Sequence, residues 1–244
     1  MSCAARPLVA KVSGRFARDA VALGEGEVCA AFRRSFYLRY PGERYACIGD
    51  ASLGRGPLNA LVDAFRPFAI GEKVSVSVNS VWQPPPTRPA KFSELDAKVP
   101  DEGLGCLLLG QYNALATYAQ PALDALDEWL RRGLAVPDPA AALIGLGPGL
   151  TPSGDDYFGG MLVALRTIGR DAQANTLWRW LEPRLTAGTS AISAAHLAAA
   201  AAGEAHEIVH EVLSDPRRAQ KLDGIGHCSG WDAFAGAAAV LRAT

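Results

Sequence analysis

Little in this sequence is concentrated enough to name a chemistry by composition alone. Its five cysteines (Cys3, Cys29, Cys47, Cys106 and Cys228) are odd in number and scattered, with no C-x-x-C pair and no zinc-type spacing. That pattern excludes a metal knuckle or a disulfide framework. No charge of one sign prevails. With 24 basic and 25 acidic side chains the net charge is −1, so no global field draws nucleic acid or an anionic membrane. Aromatic residues make up only 8% of the chain and form no basic-aromatic strip on which single-stranded nucleic acid could stack. No apolar run reaches spanning length, and the N-terminal residues contain no long apolar core of the kind a signal peptide needs. A cytoplasmic protein that binds neither nucleic acid nor membrane is the expectation.

What the sequence does have is a motif that occurs twice. Residues 153–160 read Ser153-Gly154-Asp155-Asp156-Tyr157-Phe158-Gly159-Gly160, and residues 229–236 read Ser229-Gly230-Trp231-Asp232-Ala233-Phe234-Ala235-Gly236. Both fit Ser-Gly-x-Asp-x-Phe-x-Gly, and both sit where a glycine-containing loop leads into an alanine-rich, helix-like segment. Helix N-termini carry unpaired backbone N–H groups, so two of them brought together would cradle a small anion.

The rest of the chain divides by pattern. Residues 1–83 read as β-rich, with short runs at Leu8–Val12, Val28–Phe32, Phe36–Tyr40, Tyr45–Ile48 and Val74–Val81 and a brief helical insert at Leu58–Phe65. The alternation in Lys73-Val74-Ser75-Val76-Ser77-Val78 is that of a half-buried strand. Strands this short and close together predict a small barrel or sandwich. Residues 84–102, opening Pro84-Pro85-Pro86, read as a stiff linker. Residues 103–244 read as helical: Leu104–Tyr118, Pro121–Arg132, Gly159–Ile168, Ala172–Trp180, Ser190–Ala202, Glu204–Ser214 and Trp231–Arg242. The fold class expected is α+β.

The first loop, Gly145 to Asp156, has no Lys-Ser or Lys-Thr pair to make a Walker loop, and its glycines have the wrong spacing for a dinucleotide fingerprint. Gly147, Gly149 and Gly154 would let a ligand touch the backbone, while Thr151 and Ser153 offer hydroxyls and helix caps. Asp155 and Asp156 either offset the helix dipole or act chemically, as general base, amide-orienting group or ligands of Mg²⁺. The second copy keeps only the latter acid, as Asp232, so Asp156 and Asp232 are the equivalent pair and Asp155 is the one left for a separate task. In the second loop Gly226, Ser229 and Gly230 repeat the donors, and His227 could supply a proton. Cys228 stands beside it, but adjacent side chains seldom meet, which disfavours a covalent cysteine. Thr189-Ser190-Ala191-Ile192-Ser193 adds a hydroxyl-rich helix start, with Ser190 and Ser193 as candidates for the same pocket. His206 and His210, flanked by Glu204, Glu207 and Glu211, read as a surface helix face. No cofactor is demanded by any motif, and Mg²⁺ on Asp155 and Asp156 is the one metal the residues suggest.

Residues 145–156, 189–193 and 226–232 resemble the family of bacterial proteins associated with the AllH subunit of oxamate carbamoyltransferase; residues 56–59 extend the likeness loosely into the β-rich half. Cys228 stands where a small hydroxyl residue is expected. The resemblance implies a role in purine (allantoin) catabolism, with oxalurate and phosphate interconverted with oxamate and carbamoyl phosphate in a complex with other subunits. It assigns no catalytic residue. A non-catalytic anion-binding or scaffolding subunit, and a Mg²⁺-dependent hydrolase using Asp155, Asp156 and Asp232, remain as alternatives.

Overall fold

The computed structural model describes residues 7–90, 95–133 and 135–243, and the chain divides into two compact units, Met1–Gln83 and Pro84–Thr244.

The first unit is a closed barrel of six strands. In ring order these are β1 (Leu8–Gly14), β5 (Asn59–Val62), β4 (Arg44–Gly49), β3 (Ser35–Tyr40), β2 (Glu25–Ala31) and β6 (Lys73–Val78), with β6 pairing back onto β1. A short β7 (Val81–Trp82) takes over from β6 along the far end of β1. β-branched and aromatic side chains alternate inward, and Val28, Phe36, Leu38, Ile48 and Val62 are buried with Ala10 and Ala60. Bulges between Ala10 and Val12 and between Val28 and Ala30 give the local bends that closure requires. Of the barrel-or-sandwich pair, the barrel is what forms.

Two local expectations in this unit are corrected. The Leu58–Phe65 insert is strand β5 rather than helix, because Asn59–Val62 is wedged between β1 and β4 and pairs with both. Pairing outweighs its weak local preference. A helix is present instead at α1 (Arg15–Val21), whose Ala17 and Ala20 are buried.

The second unit is helical: α2 (Ala114–Arg132), α3 (Ser153–Thr167), α4 (Asp171–Gly188), α5 (Ala191–Ala201), α6 (Glu207–Ser214) and α7 (Ser229–Arg242), with 3₁₀ turns that include Gly105–Leu109. Asn113 caps α2 by accepting the Ala116 N–H at 2.8 Å, and Gly133 closes it with φ +67°. The helix then runs through Pro121 instead of breaking there, because burial of Leu123, Leu126, Trp129 and Leu130 on one face outweighs one missing backbone donor. Likewise α4 continues past Trp180, through Pro183, to Gly188.

The stretch read as a linker is fastened to this unit. Ala90 N–H donates to Leu213 O at 2.9 Å, and Lys98 exchanges hydrogen bonds with the Gln220 side chain. Nor is His210 on a surface face: it is buried at 3% exposure. Its Nδ1 lies 3.1 Å from Thr87 Oγ1, whose hydroxyl donates to Pro85 O, and its Nε2 accepts the Ala205 N–H. An Nε2 that accepts requires a neutral ring, and burial pushes the His210 pKa down to about 4.

At the centre α3 and α7 pack on each other in a reciprocal way. A Cβ on Gly160 would lie 1.7 Å from Ala233 O, and one on Gly236 would lie 1.9 Å from Tyr157 O. Gly160 corresponds to Gly236 in the repeated motif and Tyr157 to Ala233, so the two contacts are the same contact made in both directions. The last glycine of the motif thus lets the two helix backbones touch. Phe158 and Phe234, the shared aromatic positions, are both fully buried.

Candidate functional site

The reciprocal packing sets the N-termini of α3 and α7 side by side. Thr151 Oγ1 lies 3.1 Å from Ser229 Oγ, which joins the first loop directly to the second. Around this junction stand Thr151, Ser153, Asp156, Cys228, Ser229 and Asp232. Ser153 and Asp232 are buried, and the other four are half-buried.

The two glycine amides expected to face a guest are engaged inside the loops. Gly154 N–H donates to Leu146 O at 2.9 Å and Gly230 N–H to Ile225 O at 3.2 Å. A Cβ at Gly154 would lie 1.9 Å from Leu143 O, so this glycine serves a tight approach of chain to chain. Gly147 and Gly226, with φ +110° and +60°, shape the turns against Ser153 and Ser229 respectively. Gly149, with φ +96°, has nothing near the position of a Cβ.

The three acids divide differently from the sequence expectation. Asp155 is 1% exposed and fully occupied: Oδ1 accepts the Gly145 N–H at 2.8 Å, and Oδ2 accepts the hydroxyls of Thr189 and Ser193. It ties the first loop to the start of α5, where Ser190 caps the Ser193 N–H and donates to Leu150 O at 2.6 Å. Ser190 and Ser193 are therefore spent in this tie, and Asp155 is not free for a separate task. Both Asp155 oxygens are taken up by these donors, which leaves that pair poorly suited to share a Mg²⁺ ion. Among the described residues no group of three or more His, Cys, Asp and Glu is placed to hold a metal.

Asp156 and Asp232 are the acids with unmet capacity. Asp232 is fully buried, and its Oδ1 accepts the backbone N–H groups of Leu104 and Gly105 at 2.6 and 3.0 Å. Its Oδ2 and the Oδ2 of Asp156 are both buried with no well-aligned hydrogen bond, although the Ser153 hydroxyl and Cys228 thiol stand beside Asp232 and the Ser229 and Thr151 hydroxyls beside Asp156. Burial pushes the Asp232 pKa up to about 6, against the pull of the Ser153 hydroxyl and the two amides. Burial, followed by the like charges of Asp232 and Asp155, holds Asp156 well above the usual carboxylate range, with the Ser229 and Thr151 hydroxyls opposing. Each acid thus has the motif serine of the other copy as its neighbour. The negative charge of Asp232 thus disfavours ionisation of Asp156.

The other proton-transfer candidates are placed less favourably. His227 is 78% exposed, and its Nε2 lies 2.8 Å from Glu102 Oε2, itself 73% exposed. That is a solvated surface pair. Cys228 has its thiol pushed up to about 12, first by burial and then by the negative charge of Asp232, so it is no nucleophile at neutral pH.

Sequence reasoning missed the Gly103–Gly105 turn, which comes from more than a hundred residues upstream to hold Asp232. Its signal was present in the glycines that flank Leu104. Gly103 has φ +76°, and a Cβ there would lie 2.5 Å from Asp232 Oδ1, so only glycine leaves room for the carboxylate. Among the described residues no helix is long and apolar enough to cross a membrane.

No solved structure matches the chain. A family model described as oxamate carbamoyltransferase subunit AllH matches residues 143–241, from just before the first loop almost to the end of α7. By this match the segment that contains both copies of the motif is similar to the AllH subunit family, as the motifs themselves suggested.

Proposed function

We propose that this chain is a subunit of a carbamoyltransferase-type enzyme that acts on small carboxylated amides, interconverting oxamate plus carbamoyl phosphate with oxalurate plus phosphate. The observation that carries the reading is the family match over residues 143–241, because that stretch contains every residue of the junction between α3 and α7 except the Gly103–Gly105 support. The chemistry of the junction is compatible. Hydroxyls from Thr151, Ser153 and Ser229 surround two carboxyls with unused acceptor capacity, a set suited to a small polar guest. Other subunits of the complex would supply what this site lacks.

A second reading, a subunit that binds the small guest while a partner performs the transfer, is favoured by one specific feature. The candidate proton donor His227 is solvent-exposed and the thiol of Cys228 is inert, so these two residues do not make a nucleophile paired with a base.

The test is reconstitution. The purified chain, alone and with subunits that co-purify with it, is assayed for carbamoyl phosphate formed from oxalurate and phosphate. Formation only in the reconstituted complex supports the subunit reading. Absence of transfer from every co-purified assembly, with oxamate and oxalurate both tried, sinks it.

A further inference from the structure

The expectation of an anion between the two helix ends conflicts with what stands there. The junction presents two carboxyls, no lysine or arginine forms an ion pair with either among the described residues, and the Gly154 and Gly230 amides are taken up in their own loops. An anion placed against Asp156 and Asp232 would meet charge of its own sign. The two buried Oδ2 atoms nevertheless lack a well-aligned donor, and a buried polar atom left unsatisfied is costly enough to need an explanation.

The two acids are inequivalent. Asp232 receives two backbone N–H groups on Oδ1, which favour its ionised form. Among the described residues no backbone N–H donates to the Asp156 carboxyl, which makes it the member that keeps a proton when the pair holds one. The pair then offers one acceptor, Asp232 Oδ2, and one donor, the Asp156 hydroxyl. A primary amide offers the complement, N–H beside C=O, and a carboxylate or phosphate does not.

We propose that Asp156 and Asp232 seat the –CO–NH₂ group of the guest, with Asp232 Oδ2 accepting an amide N–H and the Asp156 carboxyl donating to the carbonyl oxygen. Thr151 and Ser229 border the same seat and take the guest's other polar end. The assignment rests on the reading of the junction as the carbamoyltransferase site and specifies which end of a carboxylated amide goes to the acids.

The experiment is calorimetric titration of the full chain with oxamate and with oxalate, which replaces the amide by a second carboxylate, each with and without Mg²⁺. Oxamate should bind at least about tenfold more tightly than oxalate, the worth of one hydrogen bond to a charged group. D232N and D156A should each weaken oxamate by about tenfold or more without weakening oxalate. The melting temperature of each unliganded variant checks folding, and S229A serves as a milder change should either unfold. Equal binding of oxamate and oxalate, undiminished oxamate binding in folded D232N and D156A, or absence of oxamate binding to the wild-type chain would each overturn the proposal. So would binding of Mg²⁺ alone that both variants abolish, since the pair would then be a cation site. Binding with the expected pattern but no transfer in any reconstituted complex leaves this seat standing and removes the transferase reading. Transfer unimpaired in D232N and D156A does the reverse.

Discussion

The two copies of Ser-Gly-x-Asp-x-Phe-x-Gly share a framework and differ in what the variable third position does. In the first copy that position is Asp155, which binds the loop to the start of α5 through three donors. In the second it is Trp231, fully buried, with its Nε1–H donating to Asp223 Oδ1 at 2.8 Å. The positions both copies keep face the other copy: the last glycines permit backbone contact, and Asp156 and Asp232 each lie near the partner motif's serine. Within this pair of helices the repeated residues build the junction and the unrepeated ones anchor each helix to its own surroundings. A motif match therefore locates the centre, and the mismatch tells how each half is held.

The comparison can be broken first at the glycines. G160A and G236A each place a methyl group within 2 Å of a carbonyl oxygen and should each cost about 3 kcal/mol, read as a fall in the urea midpoint. A neutral result in one copy alone would show that the two contacts are not equivalent.

Next comes the anchor. D155A leaves a backbone N–H and two hydroxyls without their acceptor, a loss of roughly 2–3 kcal/mol, and D155N should recover part of it. If D155N instead abolished transfer in a reconstituted complex at unchanged thermal stability, Asp155 would return to the chemistry.

A smaller effect separates the acids by pH. The folded pKa of Asp232 lies above its unfolded value, near 3.8, so its contribution is most favourable at low pH and is lost as pH rises toward about 6. The loss is on the order of 2 kcal/mol, and D232N should flatten stability between pH 4 and 6. Parallel profiles for wild type and variant would remove the acid pair from the account.

The least effect is expected outside the shared positions altogether. H227A breaks only a solvated pair with Glu102 and should leave the melting temperature unchanged. A fall of about a hundredfold in transfer at that unchanged stability would make His227 a proton donor after all.

Much of the architecture was legible in the chain because local pattern and final environment agree. The alternation of Lys73–Val78 is strand β6, and the motif Ser153–Gly160 opens α3. What failed did so where distant contacts decide. Asn59–Val62 becomes a strand only because β1 and β4 are there to pair with it, and α2 ignores Pro121 because its apolar face is already committed. In the site the positional correspondence of Asp156 with Asp232 was readable from the repeat alone. The engagement of Asp155 depends on Thr189 and Ser193, and the support of Asp232 depends on the turn at Gly103–Gly105; neither partner is near in sequence to the acid it serves.

The closed ring of β1 to β6 has its own consequence for assembly. Each of its strands already has a neighbour on both sides, and the two-residue β7 is too short to template an added strand. Another subunit cannot recruit the N-terminal half by extending its hydrogen-bonded ladder. A partner meeting that half would meet protruding side chains instead, among which Phe32 and Ile70 stand well out into solvent.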